Sequence, residues 1–410
     1  MSKQIAIVGA GFAGLHLGLV LQANGVDTTI FTDKTPTQLI EGQLLNTVAR
    51  SASTIALEHK LGIDYWDKDG LNLRHARFYV HGDPAISFAS VLPSPSSFVD
   101  VRVYQARLQE EFVARGGQVV IGRITEADLL ELSENYSLVV VASGGTNLTS
   151  LFARREDRSP YSQPQRILCA GIYDGIAEGD TDFTFSVSPG NGEIFQGMMY
   201  TPHGTFRGLL IEGGPGAGFS ALEQVRYQDD PVAFHEAVLD ILRQHAPTIY
   251  ERIDKATFGV TSPRDILQGA FAPTVREAHT RLSNGKLIMA VGDAQILNDP
   301  IVGQGANTSV LSAWILAEQI IAHSVYDEVF CHIAGEAMWA EAQYPTNWAN
   351  AMLQPPPAHV ADLLVGAMMN QAVADKFFEL FTVPRNMWET ISSPEATARL
   401  LAEYMTPQHA

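Results

Sequence analysis

Asp293 and the glycine-rich turn at residues 303–307 combine residue types and a spacing that suit a bound cofactor. The apolar run Leu287–Val291 predicts a buried strand just before Asp293, and Asp299-Pro300 then leads through Gly303-Gln304-Gly305-Ala306-Asn307 into a helix over Ala313–Ile321. An uncharged turn of this kind presents backbone N–H groups to a flat ligand, and the helix N-terminus attracts an electron-rich edge. The alternative is an ordinary loop that begins a helix, since Gly and Asn favour turns.

The N-terminal residues 4–33 predict a β–α–β unit that binds a dinucleotide. Strand Ile5–Val8 is followed at once by Gly9-Ala10-Gly11-Phe12-Ala13-Gly14, helix Leu15–Gln22 and strand Thr28–Phe31. Gly9 permits the tight turn, Gly11 lets a pyrophosphate approach the backbone, and Gly14 lets the helix pack closely on the strand. Thr32 and Asp33 stand where an acceptor for the ribose hydroxyls is expected, and Asp33 is the better acceptor. The motif does not choose between a nicotinamide and a flavin.

The composition argues against several other classes of protein. The 410 residues suggest two or three domains, and 46% of them are hydrophobic, which is enough to bury substantial cores. A formal net charge of −18 and the lack of a Lys/Arg cluster argue against nucleic acid or an anionic membrane as a partner. Cys169 and Cys331, the two cysteines, give neither a disulfide framework nor a metal site. The sequence shows no membrane span and no signal peptide, so we expect a cytoplasmic protein.

The remaining chain divides into strand-rich and helical regions. Leu71–Ala89 predicts a hairpin around Gly82-Asp83-Pro84, and Val119–Ile121 and Leu138–Ala142 predict two more buried strands. Residues 165–280 predict a mostly antiparallel sheet interrupted by helices, and residues 313–410 are largely helical. Residues 40–50 show no clear pattern.

Two positions in this middle region are expected to lie near the ligand. Val99–Arg115 predicts a helix with Arg102 near its start, where the arginine either holds a phosphate or flavin edge or is a solvated charge. Ser143-Gly144-Gly145 follows a predicted strand and is expected to pass close to the adenine half of the ligand.

The pairing of two distant glycine turns resembles the flavoprotein aromatic hydroxylases. The chain is more similar still to the oxygenase components of two-component styrene and indole monooxygenases, and this resemblance covers nearly the whole length. The similar stretches are Gly9–Gly18, Leu44–Ala49, Gly292–Gln295, Asp299–Asn307, Ala313–Ala317 and Ala322–Asp327.

The resemblance implies an α/β fold with a Rossmann-like FAD-binding domain, a mostly antiparallel β-sheet substrate domain and C-terminal helices. The FAD-binding domain would comprise residues 1–70, 98–163 and 281–325, the substrate domain 71–97 and 164–280, and the helical region 326–410. Asp293 would bind the ribityl chain of FAD, and the helix after the Gly-Gln-Gly turn would face the N1/O2 edge of the ring. The implied cofactor-binding residues are Gly9, Gly11, Phe12, Ala13, Gly14, Thr32, Asp33, Leu44, Leu45, Arg102, Ala142, Gly144, Gly292, Asp293, Pro300, Gly303, Gln304, Gly305, Ala306 and Asn307.

The implied activity is epoxidation of styrene-like or indole-like aromatic alkenes by reduced FAD and O2 through a C4a-hydroperoxyflavin. Single-component hydroxylases resemble one another in an Asp-Gly pair where this chain has Ser143-Gly144-Gly145. The missing acid implies that reduced FAD arrives from outside, supplied by a small NADH-dependent flavin reductase. The substrate would be a small hydrophobic aromatic molecule, and the sequence leaves a homodimer open.

The resemblance also suggests the residues around the substrate. Asn46 would hydrogen-bond near the flavin N5 region, unless it only caps backbone groups in a loop. The implied pocket residues are Val48, Arg50, Leu73, Ala76 and Ser96. Because Arg50 replaces a histidine of styrene-type relatives, and Leu73 and Ala76 replace larger polar residues, the native substrate stays open. The alternatives are a single-component NAD(P)H-dependent aromatic hydroxylase and a non-catalytic flavin-binding protein.

Overall fold

The computed structural model describes residues 3–67, 71–145, 147–214, 216–219 and 221–405. Its strands are β1 (Gln4–Val8), β2 (Asp27–Thr32), β3 (Thr47–Arg50), β4 (Leu73–Val80), β5 (Ile86–Asp100), β6 (Gln118–Ile121), β7 (Leu138–Val141), β8 (Ile167–Asp174), β9 (Phe183–Ser188), β10 (Gly192–Thr201), β11 (Gly204–Gly213), β12 (Gly259–Val260), β13 (Ile266–Gly269), β14 (Thr274–Val275), β15 (His279–Arg281), β16 (Leu287–Ala290) and β17 (Ile296–Leu297). Its α-helices are α1 (Phe12–Ala23), α2 (Pro36–Ile40), α3 (Ala52–Leu61), α4 (Val101–Ala114), α5 (Glu126–Asn135), α6 (Ala221–Gln224), α7 (Pro231–His245), α8 (Pro247–Tyr250), α9 (Gly305–Ala322), α10 (Glu328–Met352), α11 (Ala358–Met369), α12 (Gln371–Phe381), α13 (Pro384–Ile391) and α14 (Pro394–Met405).

β1 lies near the centre of a six-stranded sheet with the order β15-β16-β7-β1-β2-β6. It pairs in parallel with β2 and β7, and β2 pairs in parallel with β6. Parallel sheets are covered on both faces, which is why β7 is an unbroken, buried apolar run. The carboxyl ends of these strands therefore meet along one edge, and the predicted β–α–β unit is confirmed.

Two helices cover one face of this sheet and bring both predicted glycine turns to the same edge. α1 begins at Phe12 and packs against α9 and α4. The Phe12 ring stacks on Tyr104 of α4 with a centroid distance of 4.3 Å. α9 begins at Gly305, earlier than the predicted start at Ala313, because the Gly-Gln-Gly turn feeds directly into the helix.

A second, larger sheet has the order β12-β8-β11-β10-β9-β4-β5-β3, with β13 also paired to β8. Most neighbours are antiparallel, as predicted, although β4 and β9 are parallel. Side chains alternate between the two faces. Ile194, Leu209 and Ile211 pack under α7 in one apolar cluster. Leu168, Ala170 and Leu210 point the other way, into the space between the two sheets.

The structure differs from prediction mainly between residues 40 and 135. β5 runs to Asp100, so the predicted helix at Val99 begins at Val101. Pro93 and Pro95 lie within β5. They sit where the register jumps from Leu73↔Ser96 to His75↔Val91, and a proline can interrupt a strand at such an irregularity.

Strand β3 falls in the stretch that showed no sequence pattern. It pairs with β5 and so belongs to the larger sheet, although it lies inside the predicted FAD-binding segment 1–70. The domain boundaries therefore remain a prediction. Residues 68–70 of that segment lie outside the described residues.

Of the C-terminal helices, α11 and α12 pack on β5 of the larger sheet, whereas α10 packs on α9 and α13. Leu363, Phe377 and Phe378 share an apolar cluster with Phe78 and Phe88 of the hairpin. The prolines at 355–357 separate α10 from α11, and Pro384 begins α13. Among the described residues, no helix has both the length and the apolar character needed to cross a membrane.

Replacing Gly14 is expected to destabilise the dinucleotide unit. A Cβ at Gly14 would lie 1.9 Å from the Gly9 carbonyl oxygen, so Gly14→Ala must push strand and helix apart. We expect the free energy of unfolding to fall by roughly 1–3 kcal/mol, measured by denaturant titration. Gly305→Ala is the control, since a Cβ there meets nothing within 4 Å. Equal loss in both variants would contradict the packing argument.

Candidate active site

A cavity of about 1140 Å³ lies between the two sheets, at the carboxyl ends of β1, β2, β6 and β7. It exceeds the roughly 300–1,000 Å³ typical of a single small-molecule site, so a dinucleotide and a small second molecule can share it. The predicted cofactor and catalytic residues that line it are Gly9, Gly11, Phe12, Ala13, Thr32, Asp33, Leu45, Asn46, Ala142, Gly144, Asp293, Pro300, Gly303, Gly305 and Ala306.

The N-terminus of α1 opens into this cavity without a capping side chain. Gly11 is the N-cap, no side chain accepts its orphan N–H groups, and the first turn contains no acidic residue. Gly9 has a φ of 117°, and a Cβ there would lie 2.8 Å from the Ala142 carbonyl carbon. The turn is thus held tightly against β7, with the Gly9 N–H donating to the Phe31 carbonyl oxygen at 2.8 Å. The N–H groups of the first turn of α1 have no side-chain acceptor among the described residues, which is what a pyrophosphate needs.

The N-terminus of α9 opens into the same cavity and, like that of α1, has no capping side chain. Gly303 has a φ of 64°, Gln304 is the N-cap, and its side chain makes no capping hydrogen bond. A Cβ at Gly305 would meet nothing within 4 Å, so the turn faces open space. Two uncapped helix N-termini therefore converge on one cavity, and both favour negative charge.

Asp293 lines the cavity wall, and in the ligand-free structure it is exposed to the space of the cavity. The protein packed around it disfavours the charged form and raises the pKa of Asp293 to about 6, although Ser309 Oγ donates to its Oδ1 at 3.4 Å and Arg276 favours the charged form. Gly144 makes room for it, since a Cβ there would lie 2.3 Å from the Asp293 Cβ. An acceptor held this way has capacity left for ligand hydroxyls.

The substrate-side wall is apolar. Val48 lines it as predicted, together with Leu297 of β17 and residues on the larger sheet and its connections: Leu168, Ala170, Phe195, Met199, Leu210, Leu267 and Phe271. The described residues of this wall include no Asp, Glu, Lys, Arg or His. The wall can therefore hold an apolar molecule and exclude water, but it offers no side chain for acid–base chemistry.

Two side-chain amides, those of Asn46 and Asn298, also line the cavity beside the apolar wall. Asn46 accepts a hydrogen bond from the Thr47 backbone N–H at 2.8 Å, the loop-capping contact that the sequence left open, while its amide nitrogen bonds no described residue. Asn298 is buried in the wall, and its amide nitrogen has no partner among the described residues. The sequence offered only one signal for Asn298, its place between Asp293 and the Asp299-Pro300 pair.

Arg50 does not line the cavity, contrary to prediction. It is fully buried and forms an ion pair with Glu58 of α3, and it also donates to Ser97 Oγ at 3.2 Å. Tyr104 donates to the same Glu58 at 2.8 Å and contacts His16 at 2.6 Å. Burial and the nearby Arg50 lower the pKa of His16 to about 3, so it is neutral and packed. Arg50 therefore ties β3 to α3 and β5 on the side away from the cavity.

Arg102 also lies outside the cavity wall. It donates to Asp100 and Asp265, both at 2.6 Å for the closest pairs, and to the Gly42 carbonyl at 3.0 Å. Its side chain is almost wholly buried, so it is neither the phosphate ligand nor the solvated charge that the sequence suggested. Its guanidinium instead ties the start of α4 to the β12–β13 connection.

The other predicted residues do not line the cavity. Leu73, Ala76 and Ser96 lie on the paired strands β4 and β5, away from the cavity, because the larger sheet points their positions elsewhere. Leu44 is buried beside Ile172 and Met199. The residues Gly14, Gln304 and Asn307 shape the two turns, and Gly292 stands directly before Asp293, where a Cβ would lie 2.7 Å from the Ala13 Cβ.

Two known proteins are similar to this chain over nearly its whole length. The family model described as "Styrene monooxygenase A putative substrate binding domain" matches residues 144–252. Styrene monooxygenase StyA of Pseudomonas fluorescens is 39% identical, covering 98% of this chain and 99% of that protein. Styrene monooxygenase StyA of a second Pseudomonas sp is 38% identical with the same coverage.

Solved structures show the same fold at low sequence identity. The flavin-dependent brominase Bmp2 superposes with a TM-score of 0.69 at 15% identity, covering 99% of this chain and 100% of that one. The tetrameric form of 2-methyl-3-hydroxypyridine-5-carboxylic acid oxygenase gives 0.60 at 14% identity, covering 93% and 96%. The predicted flavoprotein fold is confirmed.

Removing one partner of the buried Arg50–Glu58 pair is expected to be costly. Arg50→Met leaves the Glu58 charge without its cation in a dry interior, and we expect a loss of about 3–5 kcal/mol in the free energy of unfolding. The double variant Arg50→Met/Glu58→Leu should recover most of this. Arg115→Met, which breaks a surface pair with Glu111, should cost less than about 1 kcal/mol. Similar losses in all three would contradict the assignment.

Asp293 gives a stability prediction that depends on pH. The folded chain keeps the Asp293 proton up to a pKa of about 6, whereas the unfolded chain loses it near 3.8. The free energy of unfolding should therefore fall as pH rises between these values. Asp293→Asn should stabilise the ligand-free protein at pH 8 and change its stability by almost nothing at pH 3.5, and solvent screening keeps the gain at pH 8 modest because Asp293 is exposed to the cavity. Denaturant titrations at the two pH values measure this, and a gain at pH 3.5 would contradict it.

Proposed function

This chain belongs to the styrene monooxygenase StyA family, and on that premise we propose that it epoxidises a small aromatic alkene with reduced FAD and O2. The observation that carries the proposal is the single cavity in which two uncapped helix N-termini meet an apolar wall. The first feature suits an electron-rich dinucleotide, and the second suits a substrate without charge.

The residues around the cavity fit FAD. The turn at Gly9–Ala13 would hold the pyrophosphate, Asp33 the ribose hydroxyls, and Asp293 the ribityl chain, with the turn at Gly303–Ala306 under the ring system. Gly144 supports this assignment, because any larger residue would displace Asp293. When bound, reduced FAD supplies two electrons and the carbon at which O2 is activated.

The protein's own part in the reaction is to position the substrate and keep it dry. One oxygen atom of O2 joins both carbons of the double bond, the other leaves as water, and reduced FAD becomes oxidised FAD. No proton leaves the alkene, so a wall without acid–base side chains is adequate. Val48, Phe195 and Phe271 would hold the aromatic ring, and Asn46 and Asn298 would donate hydrogen bonds toward oxygen. Excluding water protects the activated oxygen until the alkene is in place.

We further propose that a flavin reductase supplies the reduced FAD. The stretch Ser143-Gly144-Gly145 borders the cavity but lacks the acid that single-component hydroxylases share there. A small NADH-dependent reductase would meet this need, and NADH supports the cytoplasmic location expected from the sequence. A homodimer remains a separate proposal that the reaction does not require.

Chemically reduced FAD tests the activity directly. Mixed with the protein, O2 and styrene or indole, it is expected to yield styrene oxide or an indigo-forming product, detected by chromatography and absorbance. A parallel sample without protein measures the background. Hydrogen peroxide alone, with neither product, would identify a flavin-binding protein and overturn the proposal.

A second measurement separates two-component from single-component chemistry. The FAD-loaded protein is mixed with NADH or NADPH without oxygen, and flavin absorbance is followed. We expect no rapid bleaching until a flavin reductase is added. Fast bleaching by either nucleotide alone would assign the chain to the single-component hydroxylases.

A further inference from the structure

Three buried carboxyl groups and one arginine form a cluster beside the cavity. Glu193 of β10 and Glu212 of β11 stand directly opposite each other in the larger sheet. Arg166, which precedes β8, donates to both carboxylate oxygens of Glu193, at 2.7 and 3.1 Å. Asp299 is the fourth member, because it interacts electrostatically with the other three. The three carboxyl residues are at most 6% exposed, so water screens these charges only weakly.

The cluster continues the cavity wall beyond its apolar part. Glu212 stands opposite Leu168 of β8 and two residues after Leu210, and both leucines line the cavity. Glu193 likewise lies two residues before Phe195, another residue of the wall. Residues at these positions share one face of a sheet, so the carboxyl groups lie directly beyond the dry end of the cavity.

Asp299 connects the cluster to the glycine turn of α9. Its Oδ1 accepts from the Ile301 backbone N–H at 3.2 Å, and its neighbours Asn298 and Pro300 line the cavity. The short turn that Asp299 caps ends at Gly303, directly before α9. A charge at Asp299 therefore lies close to whatever binds over this turn.

The cluster has more carboxyl groups than cations. Arg166 is matched by Glu193, whereas both side-chain oxygens of Glu212 are buried without a hydrogen-bond partner among the described residues. Burial, with the neighbouring Asp299 and Glu193, raises the pKa of Glu212 well above its usual range. Burial also raises the pKa of Asp299 to about 6, against the favourable Ile301 N–H and Arg166. At neutral pH Glu212 thus holds a proton, and Asp299 is mostly charged but close to titrating.

The other groups that face the turn are accounted for. α10 packs on it through Trp348 and Ala349, neither of which titrates. Asp293 lies beside the first turns of α9, where Ser309 donates to it and Arg276 acts on it. A proton taken up at this turn therefore goes to Asp299 or to Asp293, and substitution separates the two.

We propose that the cluster takes up a proton at Asp299 when reduced FAD binds. This inference rests on the proposed function, in which the flavin ring lies over the turn at residues 303–306. Reduced flavin carries a negative charge at its N1/O2 edge, and a like charge nearby favours the protonated form of a carboxyl group. Glu212 already holds its proton, so Asp299 is the member that responds. The oxidised ring is uncharged and leaves Asp299 ionised.

The same proton completes the reaction. Anionic reduced FAD, O2, the alkene and one proton give oxidised FAD, the epoxide and water. The two electrons come from the reduced ring, and the apolar wall beside the alkene supplies no acid among its described residues. As the ring loses its charge, Asp299 releases the proton that the departing water requires, and the dry cavity need not open to solvent.

Calorimetry without oxygen or alkene tests this inference. Chemically reduced FAD is titrated into the protein at pH 8 in two buffers of different ionisation enthalpy, and the difference in heat gives the protons taken up. We expect roughly half to one proton per reduced FAD and about none per oxidised FAD. Asp299→Asn should abolish the uptake, since an amide does not titrate, whereas Asp293→Asn should retain it.

A change elsewhere in the cluster tests the electrostatic coupling without altering Asp299. Glu193→Gln leaves the Arg166 cation without its carboxylate, so it should favour the charged form of Asp299 and reduce the uptake. Glu236→Gln makes the same substitution at an exposed position of α7 and should leave the uptake unchanged.

Infrared spectra check the proton on Glu212 in the ligand-free protein. A protonated acid absorbs apart from a carboxylate, and exposed carboxyl groups are ionised at pH 8. The unchanged protein and Glu236→Gln should show a protonated-acid band at pH 8 that Glu212→Gln lacks. A band missing from all three would overturn the charge count.

The calorimetric outcomes separate the inference from the function on which it rests. If reduced FAD binds without proton uptake, or if Asp299→Asn takes up as much as the unchanged protein, the role of the cluster is overturned and the proposed function stands. If the unchanged protein binds FAD in neither redox state, the proposed function itself fails.

Discussion

The side-chain amide of Asn307 joins the two halves of the cavity, and the position of both depends on it. Its oxygen accepts from the Ser51 backbone N–H at 2.9 Å and from the Thr54 hydroxyl at 2.7 Å, across 256 and 253 residues of chain. Its nitrogen donates to the carbonyls of Ala49 and Gly303 at 3.1 and 3.3 Å. β3, which carries Val48, is thereby tied to the glycine turn of α9, so the apolar wall and the second helix N-terminus keep a common geometry.

The buried arginines behind the cavity wall are paired, whereas the carboxylate of Asp293 in the wall is not bonded to a cation among the described residues. Behind the wall, Arg50 is matched by Glu58, and Arg102 by Asp100 and Asp265, so these charges are neutralised where water is excluded. Within the wall, Asp293 lacks a bonded cation among the described residues. Its pKa is raised because the surrounding protein disfavours the charged carboxylate. A carboxylate left in this state gains most from ligand hydroxyls, because they replace the solvation lost on folding.

The sequence predicted those parts of the site that local patterns encode. Two parts were recognisable, the unit at residues 4–33 and the segment after Leu287. In each, an apolar strand is followed by glycines at the positions that a ligand-binding turn requires. Strand β3, the burial of Arg50 and Arg102, and the cavity-lining Asn298 were not, since each depends on partners distant in the chain. Leu73, Ala76 and Ser96 failed as pocket residues because sheet register, not composition, decides which face a side chain meets.

The cavity has to exclude water and also admit a large polar cofactor. The structure meets these two requirements at different ends of the cavity. Oxygen chemistry needs a dry enclosure, which the larger sheet provides with Leu168, Phe195 and Leu210 facing inward. A flavin that visits for one turnover needs an open, polar entrance, and the exposed Asp33 and Arg123 lie at the far end, after β2 and β6. A long dinucleotide can satisfy both demands, because its reactive ring reaches the dry end while its adenosine remains near solvent.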